Sequence, residues 1–265
     1  MLESPEHILY LKKKKHDKAL ILFFQIAIIF IFLISWELLS HFKIINTFLS
    51  SSPSEVVKTI ISLLNDKSLF SHITITLYET FISFIITSII GFLIAILMWF
   101  FPRFSKTIDP YLTILNALPK VALGPLIIIW VGASTNSIIF MALLISLFIT
   151  IINIYNGFNS TSENYIKLLK SLNASRMCIF LKVVMPSNIK NLISTMKINI
   201  SMTLIGVIMG ELLVSKRGLG YLIMYGSQVF NINLVITSVF ILGIIAYLMY
   251  KLITIIENKY NKNNQ

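Results

Sequence analysis

Acidic residues are scarce in this 265-residue sequence: Asp and Glu number 11 against 22 Lys and Arg, and charged residues make up 12% of the chain. A water-soluble domain carries about 25% charged residues, so there is too little polar surface here to cover a globule. Cysteine occurs once, as Cys178. That excludes an intrachain disulfide and a cysteine-based metal site. The four histidines, His7, His16, His41 and His72, show no ligand spacing. No H-E-x-x-H, G-x-S-x-G or Walker A sequence occurs. The sequence therefore offers no catalytic residue, no metal site and no nucleotide site of its own.

What is present is apolar. Hydrophobic residues make up 56%, with a mean hydropathy of +0.84. The net charge of +11 sits in short segments between long apolar runs. A nucleic-acid surface would need a basic patch or stripe. Basic loops beside an anionic leaflet look like this pattern instead, so membrane lipid is the expected neighbour and nucleic acid is not.

A bilayer core of about 30 Å takes about 20 apolar helical residues. Ala19–Trp36 is free of charge and forms span one. It is too long for a signal-peptide core and no small-x-small site follows, so it is read as retained. Thr80–Phe101, with a start near Ile73, is span two. Val121–Ser162 holds 42 residues without a charge, twice what one crossing needs. The Gly132-Ala133-Ser134-Thr135-Asn136 cluster suits a turn. It divides the run into span three, about Tyr111–Val131, and span four, about Ser137–Tyr155. Asn191–Val214 is span five and Asn233–Tyr250 span six.

With both ends inside, the inner segments hold sixteen Lys and Arg and the outer segments five. That asymmetry predicts an N-in/C-in protein. It divides into a tail (1–18), a membrane domain (19–256) enclosing a long inner loop (156–190), and a second tail (257–265). The fold class is all-α integral membrane with six transmembrane helices.

The inner loop carries most information. Ser160 and Glu163 have capping-box spacing. Tyr165, Leu168, Leu169 and Leu172 fall on one helical face, with Lys167 and Lys170 off it. Asn173 suits the left-handed end of that helix, Ala174–Val184 can form a second, and Pro186 suits the first turn of span five. Such a loop either lies on lipid or docks a soluble partner.

The run Tyr165-Ile166-Lys167-Leu168-Leu169-Lys170-Ser171-Leu172-Asn173-Ala174-Ser175-Arg176, ending in Val183-Val184-Met185-Pro186, resembles the EAA loop of bacterial ABC importer permeases. The spacing fits without gaps. Lys167 stands where the pattern has Glu, Leu168 and Leu169 replace Ala-Ala, Asn173 replaces Gly, and Met185 replaces Leu. Ser52-Pro53-Ser54-Glu55-Val56 resembles the stretch after span one in this family. Ala117 to Leu126 with Trp130-Val131-Gly132 resembles span three. Gly210-Glu211-Leu212-Leu213 with Arg217-Gly218-Leu219-Gly220-Tyr221 resembles the stretch after span five. The resemblance covers about residues 36–257, and is closest to the branch importing nitrate, sulfonates, taurine and thiamine-precursor pyrimidines.

The resemblance implies the type I importer architecture in the bacterial plasma (inner) membrane. It implies a homodimeric pathway, an ATP-binding cassette subunit that holds ATP and Mg, and an extracytoplasmic substrate-binding protein. Tyr165, Lys167, Leu168, Leu169, Leu172, Asn173, Ala174, Ser175 and Pro186 would form the coupling loop. The Lys167 exchange reverses a charge on that surface.

Other residues stand out for their depth. Pro119, Gly124 and Pro125 in or near span three either line a pathway or only kink a packed helix. Lys197, about 10 Å into span five, snorkels, meets an anion or pairs; Asp109 is a partner at suitable depth. Glu37, Glu79 and Glu211 lie near outer span ends and either reach headgroups or, Glu211 above all, act at an outer gate. Gly218 and Gly220, beside Lys216 and Arg217, allow a tight or moving outer loop. An ion-coupled secondary transporter is the rival reading; it requires ionisable groups near the midplane, whereas most here lie toward span ends.

Overall fold

The computed structural model describes residues 5–263. The outermost parts of the two tails, 1–4 and 264–265, lie outside the described residues. Ten helices carry the architecture: α1 Pro5–His41, α2 Pro53–Asn65, α3 Ser68–Phe100, α4 Pro102–Ala117, α5 Gly124–Val131, α6 Thr135–Asn159, α7 Glu163–Ser171, α8 Ile189–Val214, α9 Leu219–Gln228 and α10 Ile232–Asn263. Shorter turns join them. Five helical stretches are long and apolar enough to cross a bilayer: Ala19–His41 of α1, α3, α6, α8 and Ile232–Tyr260 of α10.

Span three departs from a straight Tyr111–Val131 helix. It is broken by 85° between α4 and the segment Lys120–Val131. Pro119 supplies no N–H and its ring disfavours helical geometry in the residue before it; Leu118 is extended, at φ −64° and ψ 144°. Pro125 acts oppositely. It sits in the first turn of α5, where a missing N–H costs nothing.

The centre of the molecule is α8 packed along α6, and α6 along α3. Small residues set that closeness, as they do where lipid rather than water surrounds helices. At Gly206 the backbones nearly touch: a Cβ there would lie 2.5 Å from the Ala142 Cα. Polar groups buried between helices are paired in place. Asn199 donates to the Ser88 hydroxyl at 2.8 Å, and Thr87 and Ser146 share a hydrogen bond of 3.1 Å. Helix α1 stands apart, meeting α2, and the Glu37 carboxylate accepts from the Ser54 N–H at 3.0 Å. Its Phe23, Ile28, Phe30 and Ile31 are exposed, as side chains facing lipid would be.

Candidate functional site

The segment from Ser160 to Asn188 hangs off the common end of α3, α6 and α8. The capping box of Ser160 with Glu163 does not form. Helix α6 continues to Asn159, and the Ser160 hydroxyl turns back to donate to the Gly157 carbonyl at 2.7 Å. Glu163 instead begins α7 and pairs with Lys167 at 2.8 Å. The Lys167 ammonium holds the Glu163 carboxyl below its ordinary pKa, so the pair persists at neutral pH and is lost on acidification. Both side chains are well exposed, where such pairs contribute little. Lys167 thus remains available at the surface.

The expected apolar face is divided between two surroundings. Leu169, with Ile166 and Ala174, packs against Ile154, Phe158, Ile179 and Phe180 and anchors the loop. Tyr165, Leu168 and Leu172 point away and stay 61%, 57% and 69% exposed. They form a stripe at i, i+3 and i+7 along α7 and its C-cap, Leu172. Asn173 adopts the left-handed conformation, at φ 56°. Ser175 then caps the next turn, accepting from the Cys178 N–H at 3.2 Å. A short helix, Arg176–Ile179, runs into a π-helical turn, Phe180–Val184, and a last turn, Met185–Ser187, holding Pro186.

The loop is fixed firmly. Phe158 and Phe180 meet edge to face at 5.4 Å. The Arg176 guanidinium lies over Trp99, 5.6 Å from the ring centre. Asn188 donates to the Thr161 hydroxyl at 2.7 Å and to the Val184 carbonyl at 2.8 Å. A braced helix presenting an apolar stripe is built to meet another surface. Burying each such side chain is worth about 1.5–3 kcal/mol.

At the opposite end, the carboxylates expected near headgroups are inside. Glu79 and Glu211 are each 1% exposed. Glu211 accepts from the Thr76 hydroxyl and from the Gly220 N–H, both at 2.6 Å. Thr76 accepts from the Leu219 N–H at 2.9 Å, and His72 Nδ1 accepts from the Gly218 N–H at 3.0 Å. Three successive amides at the start of α9 are thereby satisfied by side chains of α3 and α8, and a carboxylate suits a helix N-terminus. Gly218, at φ +111°, leaves room for this: a Cβ there would fall 2.3 Å from Glu211 Oε1. Glu79 adjoins Glu211 and Thr135.

Lys197 pairs with Glu257 of α10 and lies over the Tyr250 ring at 5.2 Å. Asp109 is not its partner; it is exposed on α4. Sequence reasoning missed Glu257 because it was assigned to the tail. If the pair is the local role of Lys197, the double variant Lys197→Met/Glu257→Gln should melt closer to the wild type than either single variant. Thermal unfolding in detergent measures this, and additive losses would refute it.

A second miss is Lys120, which falls inside the expected span three although it is one of the sixteen cations counted as inner. It lies half-buried at the break: its Nζ donates to Asn116 Oδ1 at 3.0 Å, is 3.5 Å from the Ile145 carbonyl oxygen, and is 5.6 Å from the centre of the Phe148 ring. Moving it leaves fifteen inner cations against five outer ones. The signal was its place directly after Pro119, where the broken helix turns back. Between α3, α6 and α8 there is also a cavity of about 340 Å³ lined by Ser88, Phe92, Thr150, Leu192, Thr195 and Asn199. Its walls are almost wholly apolar and the Asn199 amide is committed to Ser88, which leaves little for a charged solute to grip.

A bundle of several apolar helices long enough to cross a bilayer, with a braced loop that leaves an apolar stripe exposed, is the architecture of an integral membrane subunit. The chain belongs to the family of binding-protein-dependent transport system inner membrane components, matched over residues 87–262. A formylaminopyrimidine transport permease of Halalkalibacterium halodurans is 27% identical over 85% of this chain and 90% of that protein. The taurine transport system permease of Escherichia coli is 21% identical over 85% of this chain and 84% of its own length. Among solved structures, an inward-facing MetNI methionine ABC transporter has a subunit of the same fold, with a TM-score of 0.65 and 18% identity over 72% of this chain and 95% of that chain. The protein is a multi-pass inner-membrane permease subunit of an ABC importer. It is not itself an enzyme, and the secondary-transporter reading is not favoured.

Proposed function

We propose that the chain crosses the membrane six times with both ends in the cytoplasm, counting the bent α4–α5 pair as one crossing. Two copies form the pathway. The α7 stripe of Tyr165, Leu168 and Leu172, with Lys167 beside it, docks on a cytoplasmic ATP-binding subunit that carries ATP and Mg. A binding protein delivers a small solute on the other side, a sulfonate, nitrate, taurine or a thiamine-precursor pyrimidine. ATP binding draws the two coupling loops together and turns the pathway from inward- to outward-facing.

The observation that carries this reading is the exposed stripe on an immobilised helix. Helix α7 spends Ile166 and Leu169 on holding itself in place and leaves Leu168 and Leu172 unburied. Lys167 in place of an acidic residue favours a groove with a matching acidic group. Pathway lining falls to the broken segment around Pro119, Gly124 and Pro125, because irregular backbone at membrane depth is tolerated where it lines a cavity or is buried in protein. The α9 entry, with Gly218 and Gly220 wrapped on Glu211, forms part of the outer rim.

The test is copurification in detergent with its ATP-binding subunit. Leu168→Asp/Leu172→Asp, which spares the anchoring Leu169, is expected to reduce the bound ATPase at least about a hundredfold, since each lost contact is worth 1.5–3 kcal/mol. Equal recovery of the ATPase with this variant and the wild type would sink the assignment of the stripe.

A further inference from the structure

Lys120 opens the turn Lys120–Leu123 at the 85° break. Its Nζ lies against the Ile145 carbonyl oxygen. Ile145 is the eleventh residue of α6, which puts the ammonium about 15 Å along that helix from its outer start. With a hydrocarbon core of about 30 Å, this is close to the middle of the membrane. A lysine stem is too short to carry the charge to either interface from there.

A charge at this depth needs compensation. Lys197 has it in Glu257. No carboxylate among the described residues lies within ion-pair distance of Lys120. The ammonium donates to the Asn116 amide oxygen and faces Phe148, which are neutral partners. Meanwhile Leu118 and Val121 beside it are 44% and 48% exposed, so the break opens outward from the bundle rather than into packed core. A half-buried cation, without an anion, at the midplane and at the irregular part of a span is placed where transporters hold a solute.

We propose that Lys120 is the contact within the membrane for a negatively charged solute, a sulfonate or an oxyanion of the same kind. This rests on the permease reading above. With two copies facing each other across the pathway, two such ammonium groups would repel in a medium of low dielectric. An anion passing between them relieves that repulsion and is itself compensated. Asn116, already bonded to the ammonium, keeps Nζ at the break while the site is empty.

The experiment uses the complete transporter, this chain with its ATPase and binding protein, in proteoliposomes. The probes are radiolabelled ethanesulfonate and a neutral formylaminopyrimidine. Wild-type liposomes should accumulate the sulfonate. Lys120→Met should lower that uptake roughly tenfold or more, the effect of losing a hydrogen bond to a charged group, while copurifying as much ATPase as the wild type. Lys120→Arg should restore uptake to within about threefold, because guanidinium keeps the charge. Undiminished sulfonate uptake by Lys120→Met overturns the anion contact and leaves the permease reading standing. Wild-type uptake of the pyrimidine but not of the sulfonate overturns it equally. A wild-type chain that binds no ATPase at all overturns both readings.

Discussion

Gly206→Leu is expected to abolish stable folded protein. Any Cβ at this position meets the Ala142 Cα at 2.5 Å and the Ala142 N and Cβ at 3.2 Å. These are backbone and near-backbone atoms, which cannot swing aside as a side-chain tip can. Overpacking in a core commonly costs 1–3 kcal/mol. Here two helices would have to separate along a seam that also holds Ile138, Ala142 and Val207, so a loss of about 3 kcal/mol or more is expected. Detergent-solubilised variant should appear mostly in the void volume on size exclusion, or melt well below the wild type. Gly243→Ala is the matched control: nothing lies within 4 Å of a Cβ at Gly243, and it should melt at or slightly above the wild-type temperature. If both variants melt alike, the close approach of α6 and α8 is not what holds the centre.

Glu211→Leu should release the entry to α9. The substitution removes acceptors used by the Thr76 hydroxyl and the Gly220 N–H. Each hydrogen bond to a charged acceptor contributes about 1.5–3 kcal/mol, so local opening should become about 3 kcal/mol easier, roughly a hundredfold in its equilibrium constant. Arg217 is exposed and Gly218 beside it is buried, so trypsin acting on the folded protein should cut after Arg217 far faster in the variant. Glu211→Gln keeps one acceptor and should fall between the two. A cleavage rate unchanged from the wild type in Glu211→Leu would show that the three amides of residues 218–220 do not depend on this carboxylate.

Much of the bundle could be read from hydropathy, because an apolar run of about 20 residues has few alternatives to a membrane helix. The Asn173 turn was legible for a similar reason: few residues accept positive φ, and the apolar period ends there. What stayed hidden depended on neighbours in space. Leu168 and Leu169 are identical in type and adjacent in sequence, yet one is exposed and the other anchors the loop on Phe158 and Phe180. Periodicity marks a stripe without dividing it between core and partner. The Ser160–Glu163 spacing satisfied a capping rule that the longer α6 made irrelevant. Glu211 looked like a headgroup residue because its partners, Thr76 and Gly220, lie 135 and 9 residues away. Lys120 falls within the expected span three, but hydropathy carried no sign of the break at Pro119 that sets its ammonium against Asn116 and the Ile145 carbonyl.

The seam at Gly206 also has a mechanical meaning. Helices whose backbones meet this closely, at Gly206 on Ala142 and one turn on at Gly210 on Ile138, cannot slide by fractions of a turn, since such packing is bistable rather than compliant. Helices α6 and α8 therefore travel as one strut. The bracing of Asn188 on Thr161 and Val184 ties one end of that strut to the loop that carries α7. Under the docking proposed above, a push on α7 would be passed along the strut, and the compliance needed for motion would fall to the joints at Leu118–Pro119 and at Gly132, where the helical hydrogen-bond ladder is already interrupted.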